Sequence, residues 1–164
     1  MTTTILKEIT PLTNSDCFTM FSRVKAEFDF PLHYHEELEL NFIKNAKGAR
    51  RVVGDHIAEI EDLELVLVGS NLPHVWQTHK CRHKEIHEIT IQFHKDLFDE
   101  KFLRRNQLSF IRALFEKSLR GILFSPETTK MAGHDKFLAI STFSSNSNAV
   151  PSPIKSLPSK MVKS

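Results

Sequence analysis

Up to about residue 93 the chain is a succession of short, strand-like segments, each closed by a turn signal, and no other feature narrows the possible folds as much. The strand candidates are Ile5–Thr10, Phe18–Val24, His35–Ile43, Arg50–Val53, Ile57–Ile60, Leu63–Val68 and His87–Phe93. Between them stand Asn14-Ser15-Asp16, Lys47-Gly48, Gly54-Asp55, Glu61-Asp62 and Gly69-Ser70-Asn71. Many short strands at such spacing pack as a sandwich or close as a barrel.

The period then changes. Leu108, Phe110, Ile111, Leu114, Phe115 and Leu119 recur at helical spacing within Gln107–Gly121, and Gly121 stands where a C-terminal cap belongs. Ser125-Pro126-Glu127 places an N-cap residue, a proline and an acid at the start of a further helix that runs toward Ile140, with Gly133 weakening it. An earlier short helix is expected over Asp96–Arg104. Strands followed by helices form an α+β arrangement. After Ile140 the text turns to Ser, Asn, Pro and Lys, which bury too little apolar surface to offset the entropy of ordering, so residues 141–164 are expected to be disordered or weakly docked.

Composition excludes several classes. With 164 residues, 40% of them hydrophobic, the chain supports one ordinary domain. Cys17 and Cys81 form no disulfide framework, and the start of the chain lacks a basic and then apolar leader, so a cytoplasmic location is expected. No stretch approaches the roughly 18 apolar residues of a membrane helix. Of the 22 basic residues, Lys155, Lys160 and Lys163 follow residue 140 without an acid, which leaves 19 bases against 20 acids in the body. A body with net charge −1 has no basic footprint for a phosphate backbone, so no DNA binding by this chain alone is expected.

The segment Pro31–Phe42 is where chemistry concentrates. In an extended strand His33, His35, Glu37, Glu39 and Asn41 share one face, while Tyr34, Leu38, Leu40 and Phe42 share the other. The ionisable face either meets solvent, as one side of an antiparallel sheet often does, or lines an interior pocket. Two imidazoles and a carboxylate are ligand types of a divalent transition metal, and His74, closing the buried strand and turn Leu65–His74, is the candidate for a third imidazole. A pocket of this kind, with Trp76 as wall, suits a metal or a sugar or other polar metabolite. His79, Cys81, His83 and His87 have ligand chemistry without the spacing of a standard zinc site and are read as a solvated loop.

These two segments resemble the two motifs of the cupin superfamily. His33-x-His35-x3-Glu39 matches the first in full; the second, ending at His74, has Gly69 at the proline position and Asn71 at the glycine position. Asn is the residue that best replaces Gly at positive φ. The resemblance implies a cupin (double-stranded β-helix) barrel over 1–94. It also implies a metal site of His33, His35, Glu39 and His74 for Zn, Ni, Fe or Mn, within a ligand pocket that adds Glu37, Asn41 and Trp76. More narrowly, the run from Pro31 to Trp76, the ending Ile89-Thr90-Ile91-Gln92-Phe93-His94 and the helices after it resemble the amino-terminal half of AraC-type transcriptional regulators. That half senses a small-molecule effector and dimerises, and the family places helix-turn-helix units after it, for which this chain has no room. The resemblance implies that 95–140 is a helical extension used for homodimerisation through Leu108, Ile111, Leu114, Phe115 and Leu119. The expected fold is thus mainly β with C-terminal helices, a barrel followed by two or three short helices. The expected function is a non-enzymatic sensor; a stand-alone metal-dependent cupin enzyme is the other reading.

Overall fold

The computed structural model describes residues 5–133. Two five-stranded sheets stack face to face. One contains, in spatial order, β1 (Leu6–Lys7), β3 (His33–Tyr34), β8 (His74–Gln77), β5 (Arg50–Val53) and β6 (His56–Glu59). The other contains β10 (Ile122–Leu123), β7 (Leu63–Val68), β4 (Leu38–Lys44), β9 (Ile86–Phe93) and β2 (Phe18–Lys25). The pairings are antiparallel except for β1 with β3. The expected closed barrel is corrected to a pair of open-edged sheets: two of the four edge strands, β1 and β10, are only two residues long and offer too few ladder hydrogen bonds to continue the sheet.

The core lies between the sheets. Ile43, Val66, Val68 and Ile86 from one meet Val53 and Trp76 from the other, with Ala46, Ala49 and Ile60 filling the end. A second, outer cluster of Phe42, Leu65 and Ile89 packs with Phe124 and Ala132. Alternation explains both: on β4, odd positions such as Glu39 and Asn41 turn toward the facing sheet, while Phe42 turns outward under the helical segment.

The strand expected over His35–Ile43 is broken. The chain leaves the first sheet after Tyr34 and enters the second at Leu38, and His35 O is held in the link by the Asn71 amide at 2.7 Å. A strand not expected from sequence, β8, begins at His74. Arg50–Val53 and Leu63–Val68 coincide with β5 and β7.

The helical segment is shorter and less uniform than its sequence suggests. α1 is Glu100–Leu103, capped by the Asp99 carboxylate on the amides of Lys101 and Phe102. A 3-10 turn, Asn106–Leu108, leads into α2, Ser109–Ser118, and Gly121 follows with φ 77°. β10 then adds itself to β7, so residues beyond 94 contribute an edge strand to the sheet as well as helices. α3, Pro126–Ala132, begins at Ser125, whose hydroxyl accepts from the Thr128 amide, and ends at Gly133. The remainder of the helix expected to Ile140 and the tail 141–164 lie outside the described residues. No helix among the described residues is long and apolar enough to cross a membrane.

α2 spends its central stripe on its own chain. Ile111, Leu114 and Phe115 are half-buried, and the Phe115 ring lies 6.1 Å from Phe93 and 5.9 Å from Phe98. Leu108, in the preceding 3-10 turn, is also half-buried. Phe110 and Leu119 flank that stripe and remain 67% and 57% exposed, so of the expected dimerisation set Leu119 alone stays free, beside Phe110, which was outside that set.

Candidate metal centre

Each of four side chains reaches the space between the sheets by a different local rule. His33 and His74 are directly opposed partners on β3 and β8, so their side chains leave the first sheet on the same face. Their ring centroids are 4.1 Å apart. Glu39, on β4 between Val68 and Gln92, faces them from the second sheet. His35 comes from the link between the sheets. Asn71 takes φ 59°, the left-handed conformation that the turn before His74 requires.

The hydrogen bonds fix how the imidazoles are presented. A backbone carbonyl only accepts, so Nδ1–H of His33 donates to Pro31 O (2.9 Å), that of His35 to Glu37 O (3.1 Å) and that of His74 to Leu72 O (2.8 Å). All three rings are thereby committed to offering Nε2 inward, the arrangement by which outer hydrogen bonds orient metal-ligating histidines. One ligand atom from each of His33, His35, Glu39 and His74 lies within 4.8 Å of all the others, and all four residues are buried. Glu39 Oε2 is 3.1 Å from His35 Nε2, and Glu39 Oε1 is 3.7 Å from His74 Nε2.

Electrostatics at the cluster favour a cation. Burial, helped by the neighbouring His74, lowers His33 to about 4. Burial also acts to raise Glu39, yet the hydrogen bond from His35 and the pull of the two neighbouring imidazoles outweigh it and hold its carboxyl well below the usual range. Burial acts to lower His35, but its bond to Glu39 outweighs that and raises it. His74 Nε2 is buried without any hydrogen-bond partner. A buried, unpaired acceptor is costly, and a divalent ion accepts the lone pairs of three Nε2 atoms together with a carboxylate, so the residues present fit such an ion.

A cavity of about 550 Å³ adjoins this set and is lined by His33, Glu39, Asn41 and Trp76 together with Glu8, Thr90 and Gln92. Phe21, Phe28 and Phe30 supply an aromatic wall, and Arg23 and Lys25 stand near Glu88, the latter at 2.8 Å. His35 and His74, expected in the pocket, are buried behind its lining, and Glu37, also expected there, does not line it. Its carboxylate lies 3.8 Å from His35 Nδ1, on the side of the ring away from Nε2, because the break between β3 and β4 ends the alternation that would have turned it inward. Trp76 donates Nε1–H to Glu64 Oε1 at 3.1 Å, and Glu64 also pairs with buried Arg51. Glu88, Thr90 and Gln92 are the buried polar positions of the alternating strand His87–Phe93, and that alternation is the sequence signal that marks them. Glu8 carries no local signal; only the pairing of β1 with β3 brings it to the cavity. His79, Cys81, His83 and His87 do not gather, and His33, His35, Glu39 and His74 are the one such group among the described residues.

No protein-family pattern matches this chain, and no curated protein matches it at a significant level. Among solved structures, that of ToxT from Vibrio cholerae is similar at 14% identity with a TM-score of 0.44 over 84% of this chain. The match covers 51% of the ToxT structure, so this chain spans about half of that length.

Proposed function

We propose that this chain is the effector-sensing and dimerisation module of an AraC-type transcriptional regulator, built on a cupin-type pair of sheets, with a divalent transition metal in the floor of its effector pocket. The observation that carries the reading is the convergence of three inward Nε2 atoms and the Glu39 carboxylate beside a cavity of about 550 Å³. His33, His35, Glu39 and His74 would hold the ion. When bound, it would supply a Lewis-acidic contact for an electron-rich atom of the effector. Gln92 donates to Glu39 Oε2 at 3.1 Å and steadies that carboxylate, while the aromatic wall excludes water from the apolar part of the ligand.

Sensing rather than turnover is favoured by how the His74 turn is wired. Leu72 O accepts from the His74 ring, Leu72 N donates to Gly69 O (3.3 Å), and Gly69 N donates to Ser118 O (2.9 Å) at the end of α2. A change in the pocket that shifts this turn therefore bears on α2, whose flanks Phe110 and Leu119 would meet a second copy across a two-fold axis. Effector binding would act by shifting the population between two arrangements of that helix. The same module would not bind an operator by itself.

The test is elemental analysis of purified protein together with a thermal-shift screen of metals and metabolites. Stoichiometric metal and stabilisation by a metabolite that is not consumed support the sensor. Turnover of the stabilising compound would transfer the reading to a metal-dependent enzyme, and absence of metal from both wild-type and metal-soaked protein would remove the centre.

A further inference from the structure

We propose that Glu8, supplied by the N-terminal strand, is a fifth ligand of the metal, making the centre a site of three imidazoles and two carboxylates; this rests on the metal-centre reading above. Glu8 Oε2 lies 3.4 Å from His33 Nε2 but outside the set of ligand atoms that lie within 4.8 Å of one another, so its carboxylate swings inward when the ion binds. His33 already spends its Nδ1–H on Pro31 O, so in the neutral ring the atom facing Glu8 is a lone pair. Two electron-pair donors at that separation repel unless a proton or a metal ion lies between them. Neighbouring ligands on a five-coordinate ion, each bonded at about 2.1 Å, stand about 3.0 Å apart at about 90° and about 3.6 Å apart at about 120°, and the Glu8–His33 separation falls between these.

A second, independent contact holds Glu8 toward the centre. The Gln92 side-chain nitrogen has two hydrogens and directs them at two carboxylates, Glu39 Oε2 at 3.1 Å and Glu8 Oε2 at 3.4 Å. Gln92 is only 2% exposed, so this bridge is built into the interior. The backbone supports it: Leu6 N donates to Leu32 O and Glu8 N to Tyr34 O, at 3.0 and 2.9 Å, which sets β1 in register beside the two histidines of the first motif. Little else anchors this strand, because Ile5 and Leu6 are 41% and 45% exposed and Ile9 is 91% exposed.

Two consequences follow from chemistry. A second carboxylate neutralises a divalent ion and adds a hard oxygen donor, which moves preference toward Mn²⁺ or Fe²⁺ relative to a four-ligand site. It also makes metal binding tie β1 to β3.

The experiment uses the full chain with Mn²⁺ alone as probe, comparing wild type, Glu8→Gln and His74→Ala. Affinity is measured by electron paramagnetic resonance and hydrogen exchange is followed at the amides of Leu6 and Glu8, with metal-free thermal melts reporting integrity. Glu8→Gln is expected to weaken Mn²⁺ at least about tenfold and to abolish metal-induced protection of those two amides, with an unchanged metal-free melt. If wild type binds Mn²⁺, His74→Ala loses it, and Glu8→Gln binds and protects as wild type does, the Glu8 assignment is overturned and the four-ligand centre stands. If wild type binds no more Mn²⁺ than His74→Ala, the metal-centre reading itself fails.

Discussion

Gly69→Ala tests whether the turn before His74 and the end of α2 are one mechanical unit. Gly69 has no positive φ, so alanine meets no backbone penalty there and the effect is steric. A Cβ at this position would lie 2.5 Å from Ser118 O, 2.6 Å from Ser118 C and 2.7 Å from Leu119 N, all main-chain atoms that cannot rotate away. Ordinary contact begins near 3.4 Å, so α2 must withdraw by close to 1 Å. That withdrawal stretches the Gly69 N–H to Ser118 O bond beyond use, at about 1 kcal/mol. Overpacking against fixed backbone costs a further 1–3 kcal/mol or so, and the stiffer unfolded chain returns roughly 0.5 kcal/mol. The net is about 1.5–3.5 kcal/mol, which for a domain of this size lowers Tm by roughly 3–14 °C. The side that yields is α2, because β7 is held between β4 and β10 while the helix buries only half of its stripe. Differential scanning calorimetry, metal titration and sedimentation of the variant should show a lower Tm and altered self-association with metal affinity retained. A Tm within about 2 °C of wild type would refute the close approach, and loss of metal with unchanged association would show that the strand side moved instead.

Three further outcomes are expected. Arg51→Met should cost about 3–5 kcal/mol in chemical denaturation, because it strands buried Glu64, while Arg51→Met with Glu64→Met should recover much of that loss; equal costs would show the pair to be inessential to the interior. Mn²⁺ affinity, measured by chelator competition, should rise with pH from 6 to 8, since the proton that Glu39 retains on His35 competes with the ion, whereas His33, near 4, is already free of its proton. The sign is opposite for the metal-free protein, in which the contribution of the His35–Glu39 pair is present at low pH and lost as pH rises through the raised His35 value; a flat affinity profile would refute the competition. Phe110→Glu should leave the monomer folded and shift sedimentation toward monomer at all concentrations, and a variant that associates as wild type does would place the dimer contact elsewhere.

Local rules explain what could be read in the one-dimensional text. β5 and β7 were legible because alternation and a buried apolar run both survive as strands wherever they pair. Ser125, Pro126 and Glu127 marked the start of α3 by capping chemistry, which depends on adjacent residues alone. The residue types of a metal set, His33, His35 and Glu39 in one segment and His74 after a turn, were equally visible. Tertiary structure decided the rest, because each remaining feature depends on which strands become neighbours. The break at His35 arises because the chain crosses from one sheet to the other, and it removes Glu37 from the cavity while keeping Glu39 in it. The sheets stay open because of how short β1 and β10 prove to be once paired. Glu8 and Gln92, which lie 84 residues apart, meet only because β1 pairs with β3 in one sheet and the other sheet stacks upon it. Such contacts are set by long-range pairing and register, which no local periodicity encodes.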